Sequence, residues 1–232
     1  MKTEAKRSMA HRGFTLVELM VTLLIAFIIT GAAYSAYVVQ QKNYIIQEEV
    51  AVVQQNLRAG LEIMTRELRM AGYDPSFSGK YRITAANAGS ISFTSDLCED
   101  GGDPGSCVIG GESITETYQY ELYKPGGAPA DYPFSLRRTP AGSSVAENIE
   151  HLEFLYTLRD GTQTSAPANA QLKQIVRVDI SLLARSAKQD YQHVDAKSYE
   201  TASGAVLPPY NDHYHRRMVT TTLQLRNLGY GG

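Results

Sequence analysis

Apolar and polar positions divide the chain into three regimes. From Phe14 to Val39 the residues are predominantly apolar, about 25 in a row, with a single carboxylate, Glu18, among them. A helix of that length spans a hydrocarbon layer of roughly 30 Å. From there the apolar positions thin to one stripe: Ile46, Val50, Val53, Leu57, Leu61, Met64 and Leu68, at steps of three and four. That spacing is one face of an α-helix. The other face carries Glu48, Glu49, Gln54, Gln55, Arg58, Glu62, Arg66 and Glu67. Arg58–Glu62 and Glu62–Arg66 are i,i+4 pairs. No proline lies between Phe14 and Asp74, and Gly31 and Ser35 are only weak points. One helix from Phe14 to about Ala71 is therefore predicted, roughly 85 Å long at 1.5 Å per residue. Ala71-Gly72 stops it and Asp74-Pro75 prevents a restart.

Beyond Tyr73 the period changes to two. Residues 81–84 and 90–94 read as short strands, and 112–123 as a longer one with Ile114, Tyr118, Tyr120 and Leu122 on one face. Further strands are predicted at 134–138 and at 149–158, the latter with Leu152, Phe154 and Tyr156 on one side. Another places Val176, Val178, Ile180 and Leu182 inward and Arg177, Asp179 and Ser181 outward. A long polar region, 184–217, precedes a last strand with Val219, Thr221, Leu223 and Leu225 inward. Several strands after one helix indicate an α+β fold with an antiparallel sheet.

The leader ahead of the apolar run holds Lys2, Lys6, Arg7 and Arg12 against one acid, Glu4. A basic head before an apolar helix is an export signal whose basic side stays in the cytoplasm. Glu18 is the anomaly: a carboxylate inside a membrane segment costs about 2.5–3.5 kcal/mol, so its reading is functional. Arg12-Gly13-Phe14-Thr15-Leu16-Val17-Glu18-Leu19 resembles the prepilin cleavage and methylation motif of type IV pilins. The resemblance implies cleavage after Gly13 by a membrane-embedded prepilin peptidase and N-methylation of Phe14. It also implies that Glu18 registers the subunit against its neighbours in a filament. The competing reading is an ordinary signal peptide cut after Gly31-Ala32-Ala33. The apolar run is too long for that, and Glu18 has no use there. A plain membrane anchor meets the same objection from Glu18.

The resemblance extends further, to PilW-type minor pilins. It is carried by Glu67-Leu68-Arg69-Met70-Ala71-Gly72-Tyr73, by 148–156, by 176–180 and by 216–227. It implies a pilin-like fold: leader 1–13, filament-core half-helix 14–39, amphipathic half-helix 40–72, and a β-sheet domain 73–232. The implied partners are the prepilin peptidase, membrane lipid before assembly, the major pilin, other minor pilins and the inner-membrane assembly platform. The implied location is the bacterial inner membrane, with the C-terminal domain in the periplasm, and later the extracellular pilus. A type II secretion pseudopilin and a membrane-tethered adhesin or binding protein are the alternatives.

Composition adds limits. The chain has 232 residues and a net charge of −2, so no basic face for nucleic acid is implied. The two cysteines, Cys98 and Cys107, read as one local disulfide in an oxidising compartment. The loop they bracket is acidic; Asp96, Glu99, Asp100 and Asp103 read either as a solvated loop or as oxygen ligands for calcium. His213 and His215, near Asp212 and with His193, are candidate metal ligands that lack a fixed third partner. No phosphate loop, nucleophile elbow or cysteine–histidine ligand set occurs, so no enzyme, cofactor or metal is assigned.

Overall fold

The computed structural model describes residues 14–110, 112–129, 132–140 and 142–229. The apolar run and the amphipathic stripe form one helix, α1, Leu16–Arg69. Thr15 starts it: the Glu18 N–H donates to Thr15 Oγ1 at 3.3 Å and the Leu19 N–H to the Thr15 carbonyl at 3.1 Å. Thr15-Leu16-Val17-Glu18 has capping-box spacing, with the acid at the end of the helix dipole that favours it. The chain forms two units, 1–47 and 48–232, and α1 contributes to both.

In the first unit every side chain from Phe14 to Tyr37 is exposed. In the second unit Val53, Leu57, Leu61, Met64 and Leu68 are buried, whereas Val50, earlier on the stripe, is only partly covered. The helix ends at a left-handed Gly72 (φ +73°), where any side chain would strike Leu228. Asn227 closes the same end by donating from Nδ2 to the Arg69 carbonyl at 3.0 Å.

The strands are β1 (Ile83–Ala86), β2 (Ser90–Thr94), β3 (Ser106–Ile109), β4 (Glu112–Thr115), β5 (Thr117–Tyr123) and β6 (Phe134–Thr139). They continue as β7 (Ser143–Leu158), β8 (Gln163–Thr164), β9 (Ile175–Arg185), β10 (Tyr199–Glu200), β11 (Val206–Leu207) and β12 (Arg216–Gln224). The main sheet runs β1-β2-β5-β6-β7-β9-β12, with β8 beside β7. Every pairing is antiparallel. The hairpins β3–β4 and β10–β11 stand apart as two-stranded sheets. The fold is α+β, as the change of period indicates. Helix and sheet share one core in which Leu57, Met64 and Leu68 join Phe93, Tyr120, Phe154, Ile180 and Leu182. Gly60 permits the close approach, since a Cβ there would come within 2.8 Å of the Ala146 Cβ on β7.

Five expectations from the pattern are corrected. The strand expected at 81–84 lies at 83–86, and the one expected at 149–158 begins at Ser143. The alternation over 112–123 is two strands, because Glu116 turns inward to the disulfide loop and the chain leaves one sheet for the other. Asp179 and Ser181 do not point to solvent. The segment 186–215 covers the second face of β9: the Ala202 N–H donates to Ser181 Oγ at 2.8 Å, and the Ser203 N–H to Glu153 Oε1 at 3.2 Å.

Glu67 is the fifth. It does not belong to the solvated helix face. Its Oε2 accepts from Arg138 Nε at 2.8 Å and from the hydroxyl of the fully buried Tyr120. Truncating it strands a half-buried guanidinium and a phenol. Glu67→Ala is expected to cost about 2–3 kcal/mol in chemical unfolding of the purified chain. A loss under about 0.5 kcal/mol would place Glu67 among ordinary surface residues.

Candidate functional site

Two groups of residues carry the chemistry, one in each unit. The first is the start of α1. Phe14 and Thr15 precede the helix, and Phe14 is 80% exposed. Gly13 and the rest of the leader lie outside the described residues. Glu18 stands exposed in the first turn, surrounded along its own helix by Leu16, Val17, Leu19 and Met20, all exposed. Among the described residues its carboxylate has no ion-pair partner within the single chain. Thr15 is the residue that pattern reading overlooked; the T-x-x-E spacing was its signal.

The second group holds the segment 186–215 against the back of the sheet. Arg216 is its hub, with a side chain only 1% exposed. The guanidinium grips both oxygens of Asp212, reaches Asp195 Oδ2 at 3.1 Å and Glu150 Oε1 at 3.5 Å, and lies 3.8 Å from the centre of the Tyr210 ring. Burial disfavours its charge, but the hydrogen bonds it donates to Asp212 and Asp195 and the field of Glu150 outweigh this and raise its pKa. The same Arg216 hydrogen bonds depress the Asp212 carboxyl. Arg185, opposite Arg216 in the β9–β12 register, pairs with Glu150 at 3.1 Å and lies over the Tyr214 ring. Tyr199 donates to Asp195 at 3.0 Å. Both Nη atoms of Arg216 are bonded, while its buried Nε is not, and the network holds backbone in place.

The histidines belong to the same region but do not converge on a metal position. His213 Nδ1 is engaged by the His193 carbonyl at 2.6 Å, and His215 Nε2 by Asp190 Oδ2 at 3.0 Å. The rings of His193 and His215 stack at 4.0 Å. No described histidine shares a ligand cluster with two other donors. In the acidic loop Cys98 and Cys107 are joined, with Cα atoms 6.3 Å apart. Glu99 turns away to accept from the Tyr73 hydroxyl at 2.9 Å, and Asp103 pairs with Lys80 at 3.0 Å. Asp96 and Asp100 do come together, with Glu116 as the third member.

Burial holds His151 and His193 below the ordinary imidazole value of about 6.5. The unfolded chain therefore binds protons below that value that the folded chain refuses, and stability falls as pH drops from about 7 toward 5. Asp212, Asp190 and Asp74 are shifted down, so their stabilisation holds above about 3.9 and is lost only in stronger acid. Thermal melts at stepped pH should show the first decline, and His151→Gln with His193→Gln should flatten it. A wild-type melting temperature that is constant between pH 7 and 5 would show that neither imidazole is held neutral by the fold.

The chain matches two family models. Residues 8–34 match the prokaryotic N-terminal methylation motif, and residues 134–227, from β6 past β12, match the type IV pilus-assembly protein W family. The second match contains 148–156, 176–180 and 216–227 but not 67–73. Among solved structures, a type IV-like pilin from Thermus thermophilus aligns at 16% identity and a TM-score of 0.42, over 75% of this chain and 96% of that one. No curated protein matches the chain in sequence. The methylation motif on an apolar helix, followed by a sheet domain, defines a type IV prepilin-like protein. Within that class, residues 134–227 are similar to the PilW type of minor pilin.

Proposed function

We propose that this chain is a minor pilin, cut after Gly13, N-methylated at Phe14 and held in the inner membrane by α1 until it joins a type IV pilus, where it acts in assembly initiation or at the tip. The observation that carries the reading is the half-helix 14–37, apolar and wholly exposed in its own chain, with Glu18 alone among its charged types. Such a surface needs lipid or other helices around it. A pilus is an open assembly built from repeating heterologous contacts, which supplies those helices. The sheet domain then lies on the periplasmic side and later outside the cell. The partners in this reading are the prepilin peptidase, membrane lipid, the major pilin, other minor pilins and the inner-membrane platform; the role is structural, without catalysis or a cofactor.

Mass spectrometry of the mature amino terminus tests the processing step. The expected species begins with N-methylated Phe14; a start at Tyr34 would identify an ordinary signal peptide instead. Deletion of the chain tests the system. Loss of surface pili and of twitching is expected. Retention of secreted enzymes in the periplasm would favour a type II secretion pseudopilin, and normal pili with lost attachment would favour an adhesin.

A further inference from the structure

We propose that Asp96, Asp100 and Glu116 bind one calcium ion beside the Cys98–Cys107 disulfide, a site separate from the pilin machinery at the start of α1. One carboxylate oxygen from each residue lies within 4.8 Å of those of the other two. Oxygens bound to calcium at about 2.3–2.6 Å can be at most about 5 Å apart, so these three fit a single coordination sphere.

The burial pattern points to a missing positive charge. Asp96 is fully buried and Glu116 only 2% exposed. Asp96 Oδ2 accepts from the Gly101 N–H at 3.2 Å, but its Oδ1 is buried without any hydrogen-bond partner. A buried carboxylate oxygen left unclaimed is costly, and a metal ligand is one of the few roles that satisfies it. The Glu116 oxygens have only long contacts, 3.4 Å each, from the Cys98 and Gly105 N–H groups and the Tyr81 hydroxyl. Among the described residues no arginine or lysine forms an ion pair with any of the three. Lys80, which reaches this loop, is taken by Asp103 and by the Gly101 carbonyl at 3.3 Å.

The donor chemistry selects the ion. The disulfide removes both thiolates, so a soft metal finds no sulfur ligand. Anionic oxygens on a glycine-rich loop suit calcium, which accepts irregular geometry, better than magnesium, which requires a near-ideal octahedron. The ligands come from three places: the exit of β2, the disulfide loop and the β4–β5 junction. A shared ion would tie the loop and the β3–β4 hairpin to the main sheet. Asp96 and Asp100 stand out in the sequence as loop acids, but Glu116 does not, because it sits in the middle of an alternating strand pattern.

The test uses the full mature chain in detergent, stripped of metal with a chelator and titrated with calcium chloride alone. One ion per chain is expected, with a dissociation constant in the range of extracellular modules, about 10⁻⁴–10⁻³ M. The melting temperature should rise with calcium concentration, because the ion binds the folded state. Asp96→Asn should weaken binding by more than about tenfold. Because Asp96 is buried and its change could impair folding, Asp100→Asn serves as the second variant. Asp100 is exposed, and asparagine keeps the acceptor for the Gly102 N–H. It should weaken calcium binding while leaving the calcium-free melting temperature unchanged. No binding to the wild-type chain at about 10 mM calcium, or wild-type affinity in Asp100→Asn, would overturn the site.

Discussion

Protein carrying Glu18→Val is expected to be cleaved normally, to collect in the inner membrane and to be depleted from sheared filaments by more than about tenfold. Cleavage after Gly13 would create an α-amino group at Phe14, mostly cationic at neutral pH by its ordinary pKa. In a filament core both that group and the Glu18 carboxylate would lie among apolar helices. Either alone is expensive there, and leaving one without the other costs about 3–5 kcal/mol where burial is deep. In lipid the same substitution removes a charge from an apolar helix, so the unassembled subunit should be no less stable. The two effects separate cleavage and insertion, which survive, from incorporation, which fails.

The cap at Thr15 gives this experiment an internal control. Glutamine satisfies the T-x-x-E/Q spacing as well as glutamate does, and the Glu18 N–H bond to Thr15 Oγ1 is made by the backbone, so Glu18→Gln keeps the helix start and removes only the charge. Loss of incorporation in Glu18→Gln as well as Glu18→Val therefore assigns the effect to charge. If Glu18→Gln enters filaments at the wild-type level, Glu18 serves the helix start and does not register the subunit. Charge pairing within one subunit, back to its own amino terminus, is the rival arrangement. Mixed expression would distinguish it, since a pair between neighbours makes a minority of variant subunits fail even among wild-type ones.

The second large effect is expected at Arg216. Replacing it by methionine keeps the volume but leaves Asp195, Asp212 and Glu150 facing one another without their central cation. Removing one partner from a buried pair typically costs about 3–5 kcal/mol, a large share of a domain's usual 5–15. For a domain of this size that corresponds to a fall in melting temperature of about 6–20 °C. Arg216→Lys should fall between, because an ammonium keeps the charge but cannot grip both oxygens of Asp212. Hydrogen exchange should locate the damage in residues 186–215, which this network pins to β9 and β12. A methionine variant that melts within 2 °C of the wild type, on the order of a surface change, would mean that the network contributes little.

What the sequence determines by itself is what is local or periodic. The Gly13-Phe14 junction, Glu18 in an apolar run and the three-four stripe are written along a single segment. The helix, its stop at Gly72 and the class of protein follow from them without knowledge of any partner. The strand at 90–94 is equally legible, because one alternating run lies between clear turns. Tertiary structure decided everything that depends on what lies across from a residue. Asp179 and Ser181 alternate like solvent-facing positions, yet Thr222 on β12 donates to Asp179 and a polar segment some 20 residues later covers Ser181, and only that fold-back reveals the second buried face. Glu67 sits among helix surface charges until Arg138 and Tyr120 arrive on neighbouring strands. Glu116 interrupts nothing in the pattern, but its carboxylate turns into the disulfide loop and divides one expected strand into two. Periodicity reports which face of an element a residue occupies; whether that face meets solvent, core or a buried charge depends on chain that returns from far away in sequence.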